Sequence, residues 1–297
     1  MGVGIEPINL DPRVTPGHER FERYPILDSA IPAPGGTIVP VLILLPPSEG
    51  KTAPARGNPL ALDDLRLPVL NPARTKVIDA LVELCTTRPD EAVDILGIPK
   101  TQPELVAANA ALLDAPAARA DRIYTGVLYD ALSPATLSPA AKRRATGRVM
   151  VTSSVFGLVG LADRIPAYRL SGDTTLPGIG GIQAHWRAHL GPGLTEALGD
   201  GLLVDLRSGT YTAFWRPDEV GDRTATVRVL HEHNGQRKVV SHFNKATKGR
   251  LVRALLESGA NPRTPTKLAE ALRDLGWHVE ETQQKKITQL DVVVTDL

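Results

Sequence analysis

Two rhythms of apolar and polar positions run along this chain. Val41-Leu42-Ile43-Leu44-Leu45 is an unbroken apolar run closed by Pro46-Pro47, the pattern of a short strand buried on both faces. A Pro-, Gly- and Ala-rich stretch follows to about Leu70. Apolar residues then recur at helical spacing over 75–84, 89–96 and 103–113, and Asp90 and Glu91 fall in a first turn, where the helix dipole favours acids. Segments 148–152 and 202–206 read as further strands. The clearest local signal is a hairpin: 224–231 and 238–243 both look strand-like, and Asn234-Gly235 between them suits a type I′ turn. Helices are expected over 248–256 and 265–275, the latter stopped by Gly276, with closing strands at 277–280 and 291–295.

Residues 1–40 keep neither rhythm. Pro7, Pro12, Pro16, Pro25, Pro32, Pro34 and Pro40 remove backbone donors throughout, so this stretch is expected to be a flexible or surface-draped leader, or an over-extended start. From Val41 to residue 297, strands and helices mix with no internal repeat and no break in composition. The expectation is one mixed α/β (α+β) domain, a mixed sheet flanked by helices.

Composition narrows the function classes. Of 297 residues, 42% are hydrophobic and 23% charged, and the formal net charge is +1, which excludes a polycation that coats nucleic acid wholesale. The single cysteine, Cys85, allows neither an internal disulfide nor a multi-cysteine zinc site and fits a reducing compartment. No apolar run approaches the roughly 18 residues of a membrane span, and no secretory start is visible. A cytoplasmic protein with no membrane association, no cofactor and no obligate protein partner is expected.

Ser48-Glu49-Gly50-Lys51-Thr52 after the first strand tempts a P-loop reading. It fails, because Leu45 stands where the leading glycine belongs and Pro46-Pro47 lack the N–H groups a phosphate needs. A lysine and two hydroxyls remain at the carboxyl end of a buried strand, where open α/β sheets place ligands. His231-Glu232-His233 puts two imidazoles on one strand face without an evident third metal ligand, so an exposed hairpin rim is the expectation. Cys85 reads as a buried thiol in an apolar helix face.

Charge is distributed unevenly. From Gln236 to Leu256 there is no acid, yet Arg237, Lys238, Lys245, Lys248, Arg250 and Arg253 all occur. Lys142, Arg143, Arg144 and Arg148 form a second basic run. Such segments suit phosphate contacts, which set affinity and salt dependence but carry no sequence information. Two glycine-bearing stretches, 156–162 and 176–184, are spelled like the turn of a helix-hairpin-helix, whose backbone donors face a phosphate.

Several segments, in order, give the chain from Val41 onward a resemblance to the YaaA peroxide stress-resistance family. They are Pro47-Ser48-Glu49-Gly50-Lys51-Thr52, then Tyr124-Thr125-Gly126, then Ser153 and Gly157 leading to Pro166-Ala167-Tyr168-Arg169-Leu170. Trp186 follows, then His242-Phe243-Asn244-Lys245-Ala246-Thr247-Lys248-Gly249 with Arg253 in step. Lys248 stands where the family pattern has arginine, and Asn244 where it has alanine. The resemblance implies a compact mixed α/β fold with a basic cleft and a helix-hairpin-helix-like element, assigned to the Gly157–Gly160 stretch. It also implies cytosolic DNA binding, selective for structure rather than sequence, and protection from hydroperoxide by limiting free iron and oxidative DNA damage. On this reading Lys51, Arg169, Lys245, Lys248, Arg250 and Arg253 contact nucleic acid. Ser48, Tyr124, Thr125, Gly126, Ser153, Gly157, Gly160 and Tyr168 build the hairpin and cleft. The alternative is an enzyme acting on nucleic acid or a nucleotide-like small molecule through a cleft lysine; an iron-handling role has only His231 and His233 to offer.

Overall fold

A computed structural model describes residues 41–295; the Pro-rich stretch 1–40 lies outside the described residues. The apolar run forms β1 (Val41–Leu45), and all five side chains are buried. It pairs in parallel on both sides, with β2 (Val149–Ser153) and with β4 (Leu202–Asp205). Burial on both faces is why its sequence shows no alternation. β5 (Thr224–His233) joins β4 in parallel, and β8 (Ile287–Val294) joins β5. Antiparallel strands β3 (Gly157–Gly160) and β7 (His278–Gln284) lie at the two ends, giving the order β7-β8-β5-β4-β1-β2-β3, with short β6 (Gln236–Lys238) added to β5. This is the mixed sheet expected.

Among the helices that frame the sheet and its loops are α1 (Asn71–Thr87), α2 (Val127–Leu132), α3 (Pro139–Arg148), α4 (Ile182–Leu198), α5 (Ser241–Ser258) and α6 (Pro265–Asp274). Both α3 and α4 pack against β1. Ser138 caps α3 by accepting from Ala141 N, and Thr264 caps α6 by accepting from Lys267 N. No described helix is long and apolar enough to cross a membrane.

Connectivity creates a crevice. The chain leaves β1 toward β2 on one side of the sheet and leaves β4 toward β5 on the other. The loops after adjacent strands β1 and β4 therefore diverge at their carboxyl ends, the geometry in which parallel sheets bind ligands.

Three expectations are corrected. The second hairpin arm ends at Lys238, and 241–258 is one helix. Thr247, Lys248, Leu251, Val252, Leu255 and Leu256 form a buried stripe of helical period, and Asn244 N already bonds Val240 O, so core packing carries the helix back over 241–243. The turn itself is as expected, with positive φ at Asn234 and Gly235. The Gly157–Gly160 stretch is not a turn between helices but strand β3, paired to β2 through a tight connection in which Ser153 faces Gly157. Gly157 has φ +69° and lies against the Trp186 ring, which a Cβ would meet at 2.6 Å, so the glycine makes room for an aromatic side chain. The 176–184 stretch likewise holds a two-residue ladder, Thr175–Leu176 with Gly180–Gly181, before α4.

Candidate functional site

The loop after β1 is stapled to residues 123–126. Lys51 bridges Tyr124 in antiparallel fashion, and Thr52 N donates to Ile123 O. Ser48 Oγ accepts from Thr125 N at 3.1 Å and donates to Gly50 O, while Tyr129 Oη donates to Pro46 O at 2.7 Å. Pro46 and Pro47 stiffen the exit from the strand. This framework holds Lys51 inward over the Tyr168 ring, with Nζ 4.1 Å from the ring centroid. Nζ donates to Ser48 O at 2.9 Å and Glu49 O at 3.4 Å. Enclosure pulls its pKa down to about 7, with the Arg169 charge adding to the effect and Glu49 opposing it.

Behind Lys51 lies a line of hydroxyls. Tyr168 Oη is 2.8 Å from Ser153 Oγ and 3.1 Å from Tyr124 Oη, and Ser153 Oγ accepts from Phe156 N. Burial raises both phenols above their ordinary range, so they are neutral hydrogen-bonding groups at physiological pH.

Cations from three other segments face the same space. Arg169 is fixed through its backbone by Asn109, whose amide accepts from Arg169 N and donates to Arg169 O; its guanidinium lies 3.7 Å from Glu49, and Nε has no protein partner. Arg207, just past β4, is buried and bidentate with Asp205 at 2.7 and 2.9 Å, and also donates to Tyr211 O and Trp215 O. From α5, Lys248 donates to Leu206 O at 3.1 Å, its pKa lowered by burial and partly restored by Asp205. Exposed Lys245 stands one turn earlier, beside Asn244, whose Oδ1 has no protein partner. Together these segments enclose about 680 Å³ at the carboxyl ends of β1 and β4, within the size range of small-molecule sites.

Of the residues expected in a cleft, Lys51, Arg169, Lys245, Lys248, Ser48, Thr125 and Gly126 line this pocket. Tyr124, Tyr168 and Ser153 form its support. Gly157 and Gly160 do not reach it: Gly157 faces Trp186, and Gly160 lies against Arg66. Exposed Arg250 does not line it. Arg253 does not either, because its guanidinium donates to Leu132 O, Ser133 O and Thr136, closing the carboxyl end of α2. The second basic run divides. Arg144 donates to Leu256 O and Glu257 O in the last turn of α5 and Arg148 to Ala260 O just past it, whereas Lys142 and Arg143 line a second groove of about 630 Å³ with Arg119 and Arg122. His231 is buried beside Phe243 and His233 is exposed, which corrects the expectation that both lie on a rim. Among the described residues no three His, Cys, Asp or Glu side chains are grouped to hold a metal. The sequence left Asp205 and Arg207 out of the site and marked Asn244 only as a departure from the family pattern; the signal available for the first two was a pair of opposite charges at the end of an apolar strand.

A family model described as peroxide stress protein YaaA matches residues 41–283. A UPF0246 protein of Streptomyces coelicolor is 52% identical over 261 residues, covering 86% of this chain and 100% of that protein. A UPF0246 protein of Corynebacterium efficiens is 43% identical over 259 residues, covering 85% and 100%. An uncharacterized protein of Campylobacter jejuni is 28% identical over 211 residues, covering 71% and 82%.

Proposed function

The chain belongs to the peroxide stress protein YaaA family, and on that premise we propose that it acts in the cytoplasmic response to peroxide by binding DNA at the pocket above β1 and β4. Binding is selective for DNA structure more than for sequence and limits oxidative damage. The observation that carries this reading is convergence. Lys51, Arg169, Arg207, Lys245 and Lys248 come from four separate segments of a nearly neutral chain and line one concavity, against Glu49 and Asp173 on its wall and Asp205, which neutralises Arg207. Cations gathered this way replace the counterions of a phosphate backbone, and backbone contacts do not discriminate bases.

The test is equilibrium binding to duplex, bubble and single-stranded DNA across a salt series. A fall in log K with log salt, steep enough for several phosphates and similar across unrelated sequences, is expected. Weak binding with a flat slope removes the proposal. A second reading, an enzyme acting on nucleic acid or a nucleotide-like small molecule, is favoured by one observation: a lysine titrating near neutrality inside the pocket, where lysines that act as bases or nucleophiles are found.

A further inference from the structure

We propose that Lys51 is a nucleophile that forms an imine with an aldehyde bearing a phosphate, the phosphate held by Arg169 and Lys248. The inference rests on the reading of the pocket as an anion site and names the chemistry that site performs. Three features of the geometry support it. A neutral amine has two N–H bonds, and Nζ has two carbonyl acceptors, Ser48 O and Glu49 O, so loss of a proton leaves no donor unused and frees a lone pair. Among the described residues no carboxylate lies within salt-bridge distance of Nζ; the nearby Glu49 side chain is 90% exposed and turned to Arg169. Finally, Arg169 carries an Nε without a protein partner and Lys248 is anchored by Leu206 O, both on the pocket wall that Lys51 lines.

The step balances without an outside oxidant or reductant. The Nζ lone pair adds to the aldehyde carbon, the carbonyl oxygen leaves as water with the two amine protons, and a C=N bond replaces C=O. With a pKa of about 7, roughly half the amines are free at neutral pH. Two sources could present this chemistry. In DNA that has lost a base, the opened sugar is an aldehyde flanked by phosphodiesters; a free phosphorylated aldehyde is the small-molecule equivalent.

The experiment treats the full chain with sodium cyanoborohydride and either a labelled duplex carrying one abasic site or glycolaldehyde phosphate, then maps the reduced adduct by peptide mass spectrometry. The expected result is an adduct on Lys51 in one or both arms, rising as pH passes through 7 and falling at least tenfold in Lys51→Arg, which keeps the charge. An adduct with glycolaldehyde phosphate alone, by a protein that does not bind DNA, supports the imine chemistry and refutes the DNA reading. DNA binding with no adduct in either arm refutes the imine chemistry and leaves the DNA reading intact. An adduct mapped to other lysines also refutes it. Mapping in the wild type decides the point even if Lys51→Arg folds poorly.

Discussion

Replacing Gly249 with alanine sets two effects against each other inside α5. Alanine is the better helix former by about 1 kcal/mol. Here, however, α2 crosses directly over the position. A Cβ would collide with Leu128 O and approach Ala131 Cβ and Leu132 N at 2.9 Å, and two of those three atoms are backbone. No flexible side-chain end can yield, so the helices must part, and overpacking of this kind costs roughly 1–3 kcal/mol, with backbone contacts at the upper end. The net expectation is a loss of about 2 kcal/mol, or a fall in Tm of roughly 4–8 °C for a domain of this size. Gly147 in α3 supplies the control, since nothing lies within 4 Å of its Cβ position. Gly147→Ala should therefore raise stability by up to about 1 kcal/mol through helix propensity alone. Urea unfolding of both variants against wild type is the assay. If Gly249→Ala is as stable as wild type, or if the two variants shift alike, the account of the α2–α5 contact is wrong. Because α5 also carries Lys245 and Lys248, the same substitution should weaken DNA binding while Gly147→Ala leaves it unchanged.

Stability should rise with pH through the Lys51 window. Its pKa is about 7 folded against 10.5 unfolded, so between those values the unfolded chain binds the extra proton. The cost of the buried charge, roughly 5 kcal/mol in full, is present below pH 7 and relieved as pH climbs toward 10.5. Lys51→Met should flatten this part of the pH–stability curve, and an unchanged curve contradicts the burial argument. Arg207→Ala should cost about 3–5 kcal/mol by stranding Asp205, whereas Asp205→Leu with Arg207→Met should cost much less; equal losses would show that the pair's charges are not the issue. For DNA, Lys245→Ala should reduce the log K against log salt slope by about 1 with similar loss for every sequence. Arg253→Ala should lower Tm and leave that slope alone, because its donors close α2; a changed slope would place Arg253 on the DNA.

The parts of the fold written in local pattern were legible. β1 was readable because a strand buried on both faces needs an uninterrupted apolar run, and the Asn234-Gly235 turn because few residues tolerate its backbone. The segment beyond that turn was not: Val239-Val240 has strand composition, yet the stripe from Thr247 to Leu256 draws the preceding residues into helix through contacts far away in sequence. Glycine spelling misled at 157–160 for a related reason. A glycine that admits a phosphate and one that admits the Trp186 ring look the same in sequence. The site divides along the same line. Lys51 was marked by its place after β1, but whether a basic residue faces a pocket or closes a helix end depends on tertiary position. Arg169 and Arg253 therefore looked alike until Asn109 and Leu132 were placed beside them.

The central position of β1 has a consequence during synthesis. This strand emerges about 110 residues before β2 and about 160 before β4, the two neighbours that satisfy its backbone. At ribosomal rates of roughly 5–20 residues per second, the segment VLILL waits on the order of 10–30 seconds for its second partner. Throughout that interval at least one edge of this apolar β-segment stays unpaired, the kind of edge that recruits other chains, so nascent-chain chaperones should engage this protein at its first strand and release it once Asp205 has cleared the exit tunnel.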